Sequence, residues 1–305
     1  MTPIHPLHGL VAATHTPFHD DGPLNLNVIE PQAAHLTHHG VGTVFIGGTT
    51  GECHSLTLQE RLRLSDRWLE VCRASGPKVV VHVGSNCLID ARTMAERAEE
   101  RGAAAIAAFA PSYFKPASLE VLVSWCGEIA AAAPATPFYF YDFPAMTGVA
   151  FPMPDFLAMA GERIPTLAGL KFTNPDLVAY QFCLRAGDGL WDLPSGVDEH
   201  LLAALTLGAR GAVGSGFNFA APIFNRLLAA FAAGDTDAAR EEQFRVVRLG
   251  RLLSSFGYMA GAKAVMEILG VPVGPPRAPH VPLSPARKWA LRRELESMGF
   301  FEWVA

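Results

Sequence analysis

The chain has 305 residues, 50% of them hydrophobic and 17% charged, which is enough apolar material for a large core and excludes a disordered chain. Its 24 Lys and Arg against 29 Asp and Glu leave a formal net charge of −5 without long single-sign runs, so no basic face is offered to nucleic acid. The start MTPIHPLHGL has neither a basic nor an apolar leader segment, and no apolar run reaches the ~18 residues needed to span a bilayer, so a membrane is not expected as partner.

Short β-like apolar runs recur along the chain, each followed by a helix-like segment. In order they are GLVAATHTPF, VGTVFIGG, KVVVHVG, AAAIAAFAP, PFYFYDFP, TLAGLKFT, LWDLPSG and GAVGSG. The fourth is alanine-rich and helical by propensity, but Pro111 ends it and its spacing favours a strand. Between the second and third runs, Thr57 caps the segment RLRLSDRWLEVC and Glu60 returns the bond. Strand then helix, repeated eight times, predicts an α/β fold, a (β/α)8 TIM barrel over residues 1–232. After residue 232 only helical patterns remain, so 233–305 is read as a C-terminal helical appendage packed on the barrel. The five cysteines are odd in number and scattered without a C-x-x-C pair, which reads as reduced thiols in a cytoplasmic protein.

Active sites of such barrels lie at the carboxyl ends of the strands, so residues closing each run matter most. After the second strand, GGTTGE (47–52) gives glycines that let the backbone approach a ligand, and the hydroxyls of Thr49 and Thr50 with nearby N–H groups suit a carboxylate. A turn that merely satisfies its own backbone is the competing reading, and Glu52 reads as a buried carboxylate tied to loop N–H groups. In the fifth strand Tyr139 and Tyr141 share a face, with Tyr141 about 6.6 Å nearer the rim at ~3.3 Å per residue. In the sixth, Gly169, Lys171 and Thr173 share one face and Leu170 and Phe172 the other, which points Lys171 into the barrel. Lys171 then either snorkels to solvent or is an amine whose pKa falls through desolvation, free to attack a carbonyl. A phenol from the adjacent strand relays protons beside it. Further on, Gly196-Val-Asp198-Glu199 places two carboxylates where many barrels hold phosphate, which favours a hydroxylated, unphosphorylated ligand, although both also open a helix.

The motifs GGTTGE, YDFPA, GLKFT and GVDEHLLAALTLGARGAVGS, in this order and spacing, resemble the pyruvate-dependent class I aldolase superfamily that holds the neuraminate lyases and the dihydrodipicolinate synthases. The resemblance runs from Gly9 to about Pro279. It implies a Schiff base between Lys171 and the keto carbon of a small-molecule 2-oxo acid, with Thr49 and Thr50 on its carboxylate and Tyr141 shuttling the proton during carbon–carbon cleavage. Such an iminium is its own electron sink, so no cofactor and no metal is expected. The eleven histidines are read as offering no compact ligand cluster, with His38 and His39 on the exposed side of a helix.

Within the superfamily the residues lean to the neuraminate lyases. Where the synthases carry an arginine after the tyrosine motif, this chain has Met146. The lyase resemblance implies that Thr173, Gly196, Asp198, Glu199 and Ser215 bind the sugar-derived chain, that Tyr113 is a rim tyrosine near a subunit interface, and that the protein is a homotetramer. Asp142 and Phe217 depart from the usual asparagine and tyrosine. Alternatives are a dehydratase or aldolase for another 2-keto-3-deoxy sugar acid, a dihydrodipicolinate synthase, or a non-catalytic 2-oxoacid-binding protein.

Overall fold

The computed structural model describes residues 7–305, in which strands and helices alternate as the periodicity predicts as far as Gly214 and only helices follow. The strands are β1 (Gly9–Ala13), β2 (Thr43–Ile46), β3 (Lys78–His82), β4 (Ala105–Phe109), β5 (Phe138–Asp142), β6 (Leu167–Phe172) and β7 (Gly211–Gly214). Between them run α1 (Ile29–His38), α2 (Leu58–Cys72), α3 (Leu88–Glu100), α4 (Leu119–Ala131), a short α5 (Pro144–Thr147), α6 (Met153–Arg163), α7 (Leu177–Arg185) and α8 (Leu201–Leu207). After β7 come α9 (Phe217–Ala232), α10 (Thr236–Ser255), α11 (Tyr258–Ile268), α12 (Pro285–Met298) and α13 (Phe300–Val304). The capping box at the start of α2 is present, with Thr57 and Glu60 bonded reciprocally.

The strands are parallel, in the order β6-β5-β4-β3-β2-β1-β7. The seventh apolar run, LWDLPSG, forms no regular strand. Its backbone nevertheless closes the barrel: Leu170 N–H bonds Asp192 O and Phe172 N–H bonds Pro194 O on the β6 side, while Val213 N–H bonds Ser195 O on the β7 side. Pro194 has no N–H to donate, so the ladder breaks into isolated bridges. Side chains reinforce the closure. The Tyr139 hydroxyl and the Leu7 N–H both donate to Asp192 Oδ2, at 2.8 and 2.6 Å, and the Tyr180 hydroxyl donates to Leu193 O at 2.6 Å. Gly169 is required here, because a Cβ would lie 1.7 Å from Asp192 O.

The two faces of the strands feed two apolar clusters. Val11, Phe45, Val80, Ala107, Tyr139, Tyr141 and Val213 point inward and fill the barrel. Leu10, Val44, Val81, Ile106, Phe140, Leu170 and Phe172 point outward against the helices. The outer cluster continues into the C-terminal helices through Leu249, Leu253, Val265, Leu291, Leu295 and Phe300. Alternation along β6 thus places Leu170 and Phe172 under helices and leaves Lys171 the barrel throat.

Candidate active site

A cavity of about 410 Å³ opens at the carboxyl ends of the strands. Lys171, Tyr141, Thr49, Thr50, Thr173, Gly196, Asp198, Glu199 and Ser215 all line it, so nine of the ten site residues read from the sequence meet in one place. Tyr113 does not: it is 78% exposed in the loop after β4, its ring packed edge-on against exposed Phe114.

Lys171 faces Tyr141 directly across the β5–β6 pairing. It is only 4% exposed, and its Nζ lies 3.9 Å from the Tyr141 ring centroid and 4.1 Å from that of Phe45. Among the described residues no carboxylate lies within ion-pairing distance of it. The ring faces favour the ammonium by electrostatics, but loss of water outweighs them. Burial pulls the pKa down to about 7, with the charge of Asp198 resisting. Burial thus makes the neutral, nucleophilic amine accessible near neutral pH.

The Tyr141 ring is fixed by neighbours on several sides: Phe45 and His82 edge-on at 5.7 and 5.9 Å, Phe143 stacked at 5.7 Å. Its hydroxyl lies 3.3 Å from Thr49 Oγ1, and burial pushes its pKa up, so the phenol keeps its proton. His82, which the sequence reading passed over, is buried beneath. Its Nδ1 bonds Gly47 O at 2.9 Å, and the buried Arg61 guanidinium donates to His82 O and Gly84 O, both at 2.8 Å.

The loop 47–52 is held from behind as well. Thr16 Oγ1 donates to Gly51 O at 2.6 Å. Glu52 stands in the left-handed region at φ 55° and is buried, as read, but its main partner is a side chain: Lys263 Nζ bonds Oε1 at 2.8 Å, while the backbone N–H of Arg277 donates to Oε2 at 2.7 Å.

On the far wall, Asp198 Oδ2 accepts from Gly216 N–H at 2.8 Å, and a Cβ on Gly214 would fall 1.9 Å from Oδ1, so the turn after β7 is shaped around this carboxylate. Burial pushes the Asp198 pKa up to about 7. Glu199 is exposed and leans on Gly250 of α10, where a Cβ would sit 2.6 Å from its Oε1. Thr173 Oγ1 is buried without a partner, pressed by Gly196, and Ser215 Oγ pairs at 2.7 Å with the hydroxyl of Tyr258 from α11. Tyr258 was not found from the sequence, because nothing in a helix-only segment signals that its first residue reaches the barrel mouth.

The two departures lie off the wall. Asp142 is buried, bonded by Asn174 Nδ2 at 3.1 Å, with its pKa raised to about 6 by burial. Phe217 packs edge-on against Phe224 at 4.5 Å. Away from the site, His38 is exposed as the sequence indicates, but His39 is half-buried: its ring meets that of His35 edge-on at 4.6 Å, because residues four apart share a helix face, and that of His38 at 5.0 Å, while among the described residues no group of His, Cys, Asp and Glu is arranged to hold a metal ion.

A desolvated lysine beside a phenol and a threonine loop, at the strand ends of a (β/α)8 barrel, defines an aldolase-type barrel enzyme. The dihydrodipicolinate synthetase family model matches residues 6–298. N-acetylneuraminate lyase of Gallus gallus is 40% identical over 304 residues, covering 98% of each chain. Among solved structures, N-acetylneuraminate lyase (sialic acid aldolase) of Aliivibrio salmonicida is 41% identical with a TM-score of 0.94 over 97% of this chain and 98% of that one. The Proteus mirabilis N-acetylneuraminate lyase is 36% identical with the same TM-score over 97% of this chain and 100% of that one. The chain belongs to the dihydrodipicolinate synthetase family, and it is a pyruvate-dependent lyase of that family.

Proposed function

We propose that this enzyme cleaves N-acetylneuraminate to pyruvate and N-acetylmannosamine through a Schiff base on Lys171. The observation that carries the reading is the Lys171 amine, buried without a carboxylate partner and in register with Tyr141. The neutral amine adds to the C2 ketone. The Tyr141 phenol donates its proton to the carbinolamine hydroxyl, which leaves as water, and the phenolate then takes the C4 hydroxyl proton as the C3–C4 bond breaks into the iminium. The same phenol protonates C3 of the enamine, and water releases pyruvate from Lys171. Thr49 and Thr50 hold the carboxylate, while Thr173, Gly196, Asp198, Glu199 and Ser215 receive the hydroxylated tail.

Charge supports this substrate over a dicarboxylic one. Lys171 is the one cation among the described residues of the cavity wall, and Met146 is 62% exposed and off that wall. A second substrate carboxylate would meet Asp198 and Glu199 instead of a guanidinium. We place the enzyme in the cytoplasm, supported by five free cysteines, and as a homotetramer, for which exposed Tyr113 and Phe114 offer surface.

Borohydride trapping with pyruvate, read by mass spectrometry, is expected to modify Lys171, and N-acetylneuraminate is expected to release pyruvate. No adduct would sink the mechanism and favour a binding protein. An adduct without release would assign another 2-keto-3-deoxy sugar acid.

A further inference from the structure

The carboxylate loop at 49–50 is braced by a residue more than two hundred positions away. Lys263 projects from α11 behind the loop, 1% exposed, and all three of its ammonium hydrogens are engaged: Glu52 Oε1 at 2.8 Å, Thr16 O at 2.9 Å and Pro275 O at 3.1 Å. Two of these partners are tied to the loop itself. Glu52 closes it, with its N–H on Thr49 O at 3.0 Å, and Thr16 passes the contact on through its own hydroxyl to Gly51 O.

Stability alone does not account for such a pair. Desolvating two charges offsets most of their attraction, and well-packed apolar residues at a buried ion pair are often as stable or more so. Glu52 also holds a strained left-handed backbone that a glycine would adopt freely. A charged pair fixes direction and distance where an apolar contact only fills space. Thr49 and Thr50 stand just before this anchor and line the cavity, with Thr49 Oγ1 3.3 Å from the Tyr141 hydroxyl.

We propose that Lys263 and Glu52 are positioning residues: through one buried ion pair the C-terminal helices hold the Thr49-Thr50 loop in the geometry that grips the substrate carboxylate. The inference rests on the aldolase reading of the cavity. It gives the helical extension of this chain a role at the back of the second strand loop.

The test uses the full chain with Lys263→Met and the double variant Lys263→Met/Glu52→Gln, whose amide keeps an acceptor for the Arg277 N–H. Three quantities are read: thermal unfolding, kcat and KM for cleavage, and the pyruvate concentration that half-saturates borohydride trapping of Lys171. The expected result is a folded protein whose KM and half-saturating pyruvate rise by about tenfold, the loss of one well-placed charged hydrogen bond, while kcat stays within about threefold. Unchanged half-saturation in folded variants would overturn the proposal. So would failure of both variants to fold, which would assign the pair to folding. If the wild-type protein traps no pyruvate, the aldolase reading itself has failed, a result separate from either.

Discussion

At Lys171 the demands of chemistry and folding oppose each other. The amine's pKa falls from 10.5 to about 7 on burial, so the unfolded chain binds more protons than the folded one between those values. Stability contributed by this group therefore rises with pH from about 7 to 10.5, and below 7 its full cost is present. Lys171→Met is expected to abolish trapping and yet raise the melting temperature at pH 7, with the gain shrinking as pH approaches 10.5; calorimetry across that range checks both sign and window. The same ionisation predicts that kcat/KM rises as pH increases through about 7. Tyr141→Phe separates the second role. It removes a hydroxyl whose one described bond is 3.3 Å long, so the fold should hold and Lys171 should still trap pyruvate, but more slowly because the phenol also serves carbinolamine dehydration, while kcat falls by roughly 10²- to 10⁴-fold. Single-turnover kinetics would show this, and an unchanged rate would remove the phenol from the mechanism. Lys171 and Tyr141 were legible because strand alternation assigns a face to each residue. Tyr258 and Lys263 were not, since both lie in a helix-only segment whose packing the sequence does not encode locally, whereas His82 closes β3 on the inward face of Val80, where the same alternation reaches it.

Among the elements, the strands were the legible part and the joints were not. Seven of the eight apolar runs form strands, including alanine-rich β4, because parallel strands buried on both faces read as continuous apolar runs. The remaining run, the seventh in chain order around Pro194, pairs without a ladder because proline removes a donor that periodicity does not register. The α2 start shows what a local motif predicts and what it leaves out. Its capping box was readable, but Glu60 also takes the Arg277 guanidinium of the distant 275–279 segment, on both carboxylate oxygens. That bond first, and the Thr57 N–H after it, hold the Glu60 carboxyl down to about 2 against 4.5 unfolded. A depressed folded-state pKa gives stability that is complete above about pH 4.5 and lost as pH falls toward 2. Glu60→Gln is thus expected to be less stable than wild type at pH 7 and to converge with it near pH 2, measured as urea midpoints at several pH values. Thr57→Ala should cost about 1 kcal/mol with only a small part of that pH dependence, since the Arg277 guanidinium and the Thr57 N–H still hold the Glu60 carboxylate.

The division at residue 232, natural in the sequence because alternation stops there, is not expected to be a folding boundary. Leu249, Leu253, Val265, Leu291, Leu295 and Phe300 belong to the same apolar cluster as the outward residues of the strands. Each buried side chain of this size contributes roughly 1.5–3 kcal/mol, so these six alone match the whole net stability of a typical domain, about 5–15 kcal/mol. Cutting the chain at 232 would also strip α9 of its packing against α10 and remove Tyr258 from the cavity and Lys263 from behind the loop. The barrel's catalytic end is consequently built from both parts, and a fragment of residues 1–232 is expected to be aggregated or molten, without native near-UV circular dichroism. The full chain should in turn show the barrel and the extension melting together when tryptophans on each, Trp68 in α2 and Trp303 in α13, are followed separately in single-tryptophan variants. A soluble 1–232 fragment with fixed aromatic packing, or two separated transitions in the full chain, would make the extension an independent unit and remove the reason for reading it as part of the active site's support.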